Sequence, residues 1–444
     1  MNLSPISCAA ILMACFSQGF AEEAARPAPL IIHRSSAVAI YFTWCLDGDA
    51  NCDARVAAEY RKRGEAQWQK SAVGARTGEQ GAFQGCIAGL EPRTEYECRF
   101  TMSDPDGIVG EAVRMATVKL PALHQFNPSW PQGYSPDPAK RDPALRIADG
   151  DTVLTEMVPG NALRGFFHVE GAEPGDALAI RLERLEPHAT GDCAAQLSPI
   201  TLEPSARDPG LKYGHGRWTV DPKTGMAKLT QVVELGADKT WTEVQSRLKG
   251  LQLPVKPMIG TMATALDVEV GKAPSVMTSG RHGGNIDWNG AAEGVTMYFP
   301  VFVKGGLFGL GDCHALQGDG EINNEAIEIG MKVRFTAWVV KGWKINWPRG
   351  EDGDSIFTIG CAPPPFDQAM QAATTEMYRR LQADYGLDQR SAAILMGMCV
   401  KYEVGNVVDP AWTMVCKMPK SVLRRFGTSP YDRQGQEIRA AEKP

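Results

Sequence analysis

Short runs in which apolar and polar residues alternate recur through most of the chain, and this pattern constrains the fold more than any other feature. AVAIYFTW at 37–44, EYECRFTMSD at 95–104 and MKVRFTAWVV at 331–340 each have the two-residue period of a half-buried β-strand. The chain also contains 46 glycines and 30 prolines, which supply turns between such strands. A mainly β fold is therefore predicted.

The spacing of these patterns divides the chain into segments. Residues 28–118 are predicted to form a β-sandwich, and a proline-rich linker follows over 119–144. Residues 145–425 are predicted to form a larger β-rich domain. Its C-terminal part is expected to be helical, because PFDQAMQAATTEMYRRLQADYGL and RSAAILMGMCVKY carry apolar residues at helical spacing. Residues 426–444 are expected to be a polar tail.

One motif in the first domain indicates a particular kind of sandwich. LEPRTEYECRF places Tyr96 six residues after Leu90, just past a corner that contains a proline. This resembles the tyrosine corner of fibronectin type III domains, in which the tyrosine hydroxyl binds the preceding bend. The resemblance implies an immunoglobulin-like or fibronectin type III-like sandwich. Such a domain usually binds another molecule or acts as a spacer, and no chemistry is expected of it.

The N-terminal segment is predicted to be an export signal. ISCAAILMACFSQGFA is short and apolar and ends in small residues, which is typical of a signal peptide over residues 1–21. LMAC at 12–15 also resembles a lipoprotein cleavage box, with a lipid anchor on Cys15 as the alternative to plain cleavage. A second alternative is a buried N-terminal helix. Export predicts a periplasmic or secreted protein, and no later apolar run reaches the ~18 residues of a membrane span.

The cysteines bear on the same question. Cys45 and Cys52 flank one loop, and Cys86 and Cys98 lie in neighbouring apolar stretches. In an exported protein these four could form two disulfide bridges, whereas in a cytosolic protein they would be small buried residues.

Charge excludes one class of partner. The net charge of the 444 residues is −6, and the lysines and arginines are scattered along the chain. No basic surface for nucleic acid is therefore expected.

The stretch GDCHALQGDGE at 311–321 gathers ligand-type side chains around a turn. If residues 315–318 form a hairpin loop, then the side chains of Asp312, His314, Asp319 and Glu321 share one face of the hairpin. Opposed carboxylates repel unless a cation or a proton separates them, which predicts either a metal site or an acid–base pair. The alternative is a glycine-rich turn with solvated acids.

A second polar cluster, GRHGGNIDWNG at 280–290, lies one apolar strand upstream. Asn285 and Asp287 share a face if this segment is extended, and His282 lies beside two glycines. A polar β-turn is the alternative explanation of this cluster taken alone.

Together these segments resemble the acetamidase/formamidase family. In that family a GRHGGN-x-D segment is followed by a strand and then by a GD-x-HA-x-QGDGE segment. In this chain the likeness extends further, to VEGAEPGDAL, PMIGT and NVVDPAWTMVCKMPK. It covers most of residues 145–425 and implies a β-rich fold and a homo-oligomer. It also implies hydrolysis of short linear amides to a carboxylate and ammonia, and a divalent metal ion, with zinc ahead of calcium.

The resemblance also implies roles for individual residues. Asp312 and His314, complemented by Asp287 and His282, are expected to bind the metal. Glu321 is expected to be the general base, with Asp319 as the alternative, and Asn285 is expected to donate to the developing oxyanion.

The sequence also departs from the family pattern. Cys313 stands where glycine is usual, NALRGFFH precedes VEGAEPGD, and residues 187–250 do not align. The departures at Cys313 and ahead of VEGAEPGD would be the evidence for an alternative function, an exported non-catalytic protein that binds a small ligand or a metal on an amidase-like scaffold. The intact set of Asp312, His314, Asp319 and Glu321 argues for the enzyme, because an unused site has no physical reason to keep repelling carboxylates together. Cys313 is not expected to be a nucleophile, because its side chain would face away from the acids.

Overall fold

The computed structural model describes residues 25–33, 35–49, 51–71, 82–105, 112–126, 143–159, 164–268, 272, 274–275, 277–426 and 436–438. These residues fall into two compact units, one drawn from 1–120 and 434–444 and the other from 121–433. The predicted signal peptide and Cys15 lie outside the described residues, as do most of the predicted linker and tail.

The first unit consists of two four-stranded sheets. Numbered in chain order, its strands are β1 (Arg26–Ile32), β2 (Ala39–Asp47), β3 (Arg55–Lys62), β4 (Gln69–Ser71), β5 (Ala82–Ala88), β6 (Glu95–Ser103), β7 (Ala112–Lys119) and β26 (Gln436–Ile438). One sheet has the order β26-β1-β2-β5 and the other β4-β3-β6-β7.

The core of this unit follows the predicted alternation. Along β6 every second residue is buried, and Phe42 from the other sheet packs edge-to-face on Phe100 with ring centroids 4.7 Å apart. The Tyr96 hydroxyl accepts a hydrogen bond from the backbone N–H of Glu91 at 3.0 Å, the contact expected of a tyrosine corner. The fibronectin type III assignment itself remains a prediction.

The structure has no disulfide bridge among the nine cysteines of the described residues, so it does not contain the two bridges considered for the first domain. Cys98 lies on β6 and is buried in the core, whereas Cys86 lies on β5 in the other sheet.

The second unit is built on a continuously paired sheet. Its strands are β8 (Leu123–Phe126), β9 (Leu145–Ile147), β10 (Thr152–Met157), β11 (Arg164–Val169), β12 (Ala177–Ala194), β13 (Gly214–Asp221), β14 (Met226–Leu235), β15 (Trp241–Val244), β16 (Gln252–Pro254), β17 (Met258–Ala263), β18 (Gly283–Asn285), β19 (Thr296–Pro300), β20 (Phe308–His314), β21 (Glu328–Val340), β22 (Arg349–Glu351), β23 (Ser355–Ala362), β24 (Lys401–Val404) and β25 (Trp412–Pro419). The mainly β prediction is confirmed.

Two long strands organise the core of this unit. β12 pairs antiparallel with β21, and both strands make further pairs, β12 with β19 and β21 with β10. The apolar side chains between them form one large cluster that includes Phe167, Phe308 and Phe335. The site described below is built on strands that are fixed by this cluster.

The predicted C-terminal helices are confirmed as α1 (Phe366–Tyr385) and α2 (Gln389–Cys399), which precede a short α3 (Lys420–Leu423). α1 packs against β23, where Gly360 allows close approach because a Cβ there would collide with the carbonyl oxygen of Ala369. α1 ends at Gly386, whose φ of 66° is the left-handed conformation that favours glycine. Among the described residues, no helix combines the length and apolar character needed to cross a membrane.

Three adjacent strands position the candidate site. β17 lies between β18 and β20, with Thr261 opposite Asn285 on one side and Gly311 on the other. The same register places Gly260 opposite Asp312. The sequence clusters around Asn285 and Asp312 are separated along the chain, but they lie on the two strands that flank β17.

The predicted hairpin at 315–318 is wrong. β20 ends at His314, β21 begins at Glu328, and these two residues pair directly. Between them the chain turns away from the sheet, because Gly320 and Glu321 have φ angles of 83° and 48° that an extended strand does not accommodate. Gly320 instead forms a parallel bridge with Asn406.

Candidate active site

The side chains on β20 separate into two environments. Asp312 and His314 are two residues apart and are almost fully buried on one face of the strand. Cys313 lies between them and packs into the large apolar cluster, as predicted from strand alternation. Burial raises the pKa of its thiol. The acids and the thiol are therefore on opposite faces.

Both ring nitrogens of His314 lie close to polar side chains. Nδ1 lies 2.8 Å from Gln317 Oε1. Nε2 lies 2.9 Å from Glu328 Oε1 and 3.5 Å from Asp312 Oδ1. Burial by itself lowers the pKa of His314, but the negative charges of Glu328 and Asp312 outweigh burial and raise it well above the usual value.

Asp312 is the counterpart of this histidine. Its burial opposes ionisation, but His314, together with hydrogen bonds that include Thr261 Oγ1 at 3.4 Å, lowers its pKa below the usual value. Its Oδ1 has no hydrogen-bond donor. Asp312 thus carries a buried charge with one oxygen still available to a ligand.

Asp287 comes from the upstream cluster and is completely buried. Its Oδ2 accepts hydrogen bonds from Asn285 Nδ2 at 2.5 Å and Asn406 Nδ2 at 3.2 Å, whereas its Oδ1 has no donor. Burial, with the charges of Glu321 and Asp312, raises the pKa of Asp287 well above its usual value. A carboxylate so placed is stabilised by a proton or a cation.

Three further carboxyl groups complete the cluster. Burial is the main cause of the raised pKa of Glu321, Glu328 and Asp409, and the pKa of Glu321 reaches about 8. Glu321 accepts a hydrogen bond from the backbone N–H of Ala326 at 3.2 Å. These acids would repel one another strongly if all were ionised without a counter-charge.

Left-handed backbone is concentrated at these acids. The φ angles of Asp287, Asp312 and Glu321 are 42°, 57° and 48°. Such angles are uncommon outside glycine and persist only where the surrounding structure holds them. Their coincidence at three interacting acids is typical of a functional site.

The donor atoms fall into three overlapping groups in which all ligand atoms lie within 4.8 Å of one another. The groups are Asp287 with Asp312 and His314, His314 with Glu321 and Glu328, and Asp287 with Glu321 and Asp409. Carboxylate oxygens with a histidine nitrogen are ligands that suit zinc, and the predominance of oxygen also suits calcium.

Two observations indicate that these residues fit a divalent cation. Asp287 Oδ1 and Asp312 Oδ1 are buried oxygens without a hydrogen-bond donor, in a cluster rich in negative charge. Gly260 leaves the space between their side chains open, because a Cβ at this position would contact Asp287 Oδ1 and lie 3.1 Å from Asp312 Oδ2. A cation there would supply the missing positive partner.

The structure brings together most of the predicted site residues. Asp287, Asp312, His314 and Glu321 lie in one cluster. Asn285 is adjacent, but its amide hydrogens bind Asp287 Oδ2 and Asp409 Oδ2, both at 2.5 Å. Asn285 therefore holds two carboxyl groups together, and its predicted role as an oxyanion donor would require one of these two hydrogen bonds to break.

Two predicted residues are placed elsewhere. Asp319 is exposed on the far side of the turn and accepts a hydrogen bond from Asn289 Nδ2 at 2.7 Å, so it is not interchangeable with Glu321. His282 is buried but belongs to none of the three ligand groups. Gly283 and Gly284, whose φ angles of 94° and 102° are left-handed, lie between it and Asn285 in the chain.

Two acids of the site were missed by sequence reasoning. Glu328 faces His314 because it begins the strand that pairs with β20. Asp409 reaches the site through Asn285, from a loop more than 100 residues further along the chain. The only sequence signal for Asp409 is its place in the NVVDP segment that the family resemblance already included.

Comparison with known proteins supports the resemblance. Residues 258–424 match the model of the Acetamidase/Formamidase family. The chain is 35% identical over 88 residues to an acetamidase from Mycolicibacterium smegmatis, which covers 20% of this chain and 21% of that protein. The match thus spans about a fifth of the length of that relative.

Solved structures extend the similarity over more of the chain. An acetamidase from Yersinia enterocolitica superposes with a TM-score of 0.56 and 26% identity, covering 68% of this chain and 93% of that one. A predicted acetamidase/formamidase from Thermoanaerobacter tengcongensis gives a TM-score of 0.56 and 28% identity, covering 69% of this chain and 99% of that one.

Proposed function

We propose that this protein hydrolyses the C–N bond of short linear amides to a carboxylate and ammonia, because residues 258–424 match the model of the Acetamidase/Formamidase family. The observation that carries the proposal is the cluster of five carboxyl groups around His314, three of which belong to buried residues. A cluster of this kind is costly to bury and has a chemical use when it binds a cation and transfers protons.

Asp287, Asp312 and His314 would hold the divalent cation. Each offers a ligand atom within 4.8 Å of the others, and Oδ1 of each aspartate lacks a hydrogen-bond donor. When bound, such a cation supplies Lewis-acid activation of water and of the amide carbonyl. Zinc is proposed ahead of calcium because one ligand is a histidine nitrogen.

Glu321 is the proposed proton carrier. With its pKa raised to about 8, this carboxyl group takes up and releases a proton near neutral pH. In its ionised form it accepts a proton from the attacking water, and in its protonated form it donates one to the departing amine. A positive charge nearby lowers the pKa of a carboxyl group, which extends its ionised form toward neutral pH.

A covalent route through a cysteine is not supported. Cys313 is directly beside the acids in sequence, but its sulfur lies in the apolar cluster, and burial raises its thiol pKa. A neutral thiol on the opposite face of β20 reaches neither the carboxylates nor a substrate bound to them. Direct attack by water is therefore the proposed chemistry.

The proposal is tested by chelation. Ammonia release from acetamide should stop when the metal is removed and should return when zinc is added. Asp312→Asn should lose zinc and turnover together, because an amide oxygen is a much weaker ligand than a carboxylate. Full turnover by an Asp312→Asn protein that contains no metal would refute the proposed role of the site.

We also propose that the chain is exported and assembles as a homo-oligomer, as its N-terminal sequence and its family resemblance imply. The mature protein should then begin at Glu22, which mass determination on protein from a periplasmic fraction would show. A mature chain that retains residues 1–21 would contradict export by cleavage.

A further inference from the structure

Gln317 connects three segments of the site. Its side chain is almost fully buried. The amide nitrogen Nε2 donates to the backbone carbonyl oxygens of Asp287, at 2.5 Å, and Gly405, at 3.2 Å. The amide oxygen lies 2.8 Å from His314 Nδ1. One side chain thus contacts β20, the loop that carries Asp287, and the loop that leads to Asp409.

These contacts fix the orientation of the Gln317 amide. A backbone carbonyl oxygen only accepts hydrogen bonds, so the NH₂ group must face Asp287 and Gly405. Oε1 must then face His314. Because Oε1 is an acceptor, Nδ1 of His314 has to be the donor in this pair.

The assignment of Nδ1 determines what Nε2 does. The imidazole must be neutral to bind a cation, and it then carries one ring proton; with that proton on Nδ1, the lone pair is on Nε2. Nε2 is the atom that lies 2.9 Å from Glu328 Oε1 and 3.5 Å from Asp312 Oδ1. The lone pair is therefore directed at the acids that would share a cation with it.

We infer that Gln317 is a positioning residue that fixes the ring orientation and tautomer of His314, so that Nε2 is the metal ligand. This inference rests on the proposed function for the presence of a cation, and it concerns how the chain prepares the site to bind one. Hydrogen bonds to the second nitrogen of a metal-binding histidine commonly have this effect.

Asn323 provides a matched control. It lies on the same segment between β20 and β21, and its side-chain amide also donates to a backbone carbonyl, that of Ala194 at 3.0 Å. It makes no contact with His314 among the hydrogen bonds of the described residues. Loss of loop anchoring alone should therefore affect Asn323 and Gln317 variants alike.

The test compares zinc affinities, measured by competition with a chromogenic chelator. Gln317→Leu should bind zinc about 10- to 100-fold more weakly than the wild type, and Asn323→Ala should stay within about threefold. The inference is overturned if Gln317→Leu stays within about threefold of the wild type, or if Asn323→Ala weakens zinc binding as much as Gln317→Leu does.

A second measurement does not depend on variants that fold. In the zinc-loaded wild type, ¹⁵N NMR of labelled histidine should show His314 with a protonated Nδ1 and a metal-bound Nε2. A metal-bound Nδ1 would overturn the inference. Neither measurement involves turnover, so a protein that binds zinc through Nε2 but releases no ammonia would contradict the proposed function and leave the role of Gln317 intact.

Discussion

Gly260→Ala is the perturbation that tests the geometry of the site most sharply. Gly260 lies on β17 opposite Asp312, and its backbone φ is not in the left-handed region, so alanine is compatible with the local chain. The added methyl group would contact Asp287 Oδ1. It would also lie 2.9 Å from the Asp312 carbonyl oxygen and 3.1 Å from Asp312 Oδ2.

The size of the effect follows from which of these atoms can move. The two carboxylates can rotate, but the carbonyl oxygen of Asp312 belongs to a paired strand and cannot move without disturbing β20. Overpacking of this kind costs about 1–3 kcal/mol. If the side chains of Asp287 and Asp312 rotate to relieve the contact with the new methyl group, their oxygens move apart. We therefore expect zinc affinity to fall by at least about tenfold, the effect typical of losing contacts that support metal ligands.

The assay measures zinc affinity, turnover of acetamide and melting temperature on the same preparations. Gly318→Ala is the control, because Gly318 is exposed in the same motif region and a Cβ there would meet no atom within 4 Å. The control should behave like the wild type in all three assays. A Gly260→Ala protein with unchanged zinc affinity and turnover would refute the placement of a cation between Asp287 and Asp312.

Three further predictions concern proton transfer and stability. Glu321→Gln should lower turnover by about 10²- to 10⁴-fold, because the amide accepts no proton, while zinc affinity should stay within about tenfold of the wild type. Loss of zinc together with loss of turnover would instead make Glu321 a metal ligand. Cys313→Ala should keep turnover within about threefold while lowering the melting temperature slightly, and loss of turnover in a folded variant would restore the thiol as a candidate nucleophile. The pKa of Glu321 is about 8 in the folded chain against an ordinary value of 4.5, so the folded state binds this proton more tightly than the unfolded state does. The free energy of unfolding gained from this proton is present at low pH and is lost as pH rises from 4.5 toward 8. The melting temperature of the metal-free protein should therefore fall between pH 5 and pH 8 by more than that of Glu321→Gln, and equal slopes would contradict the raised pKa of about 8.

The parts of the fold that were predictable are those that depend on local periodicity. Alternation identified strands such as β6, and helical spacing identified α1 and α2. The same alternation correctly placed Cys313 on the face of β20 that points away from the acids. Residues two apart on a strand share a face whatever the rest of the fold does, so Asp312 and His314 were predictable as a pair.

The hairpin error lies where the chain leaves regular structure. The hairpin prediction failed because Gly320 and Glu321 adopt positive φ, which no residue pattern in GDCHALQGDGE specifies. Asp319 was therefore wrongly expected on the same face as His314, and the acid found opposite His314 is Glu328. Strand register between segments and the approach of the Asp409 loop depend on tertiary packing, which a single sequence does not encode locally.

Ammonia release by the purified wild-type protein from formamide and acetamide tests the central claim most directly. The account predicts that ammonia and the matching carboxylate form in equal amounts, in a reaction that requires bound metal. Absence of ammonia from both amides, in a preparation that still contains zinc, would contradict amide hydrolysis and favour a protein that only binds its ligand.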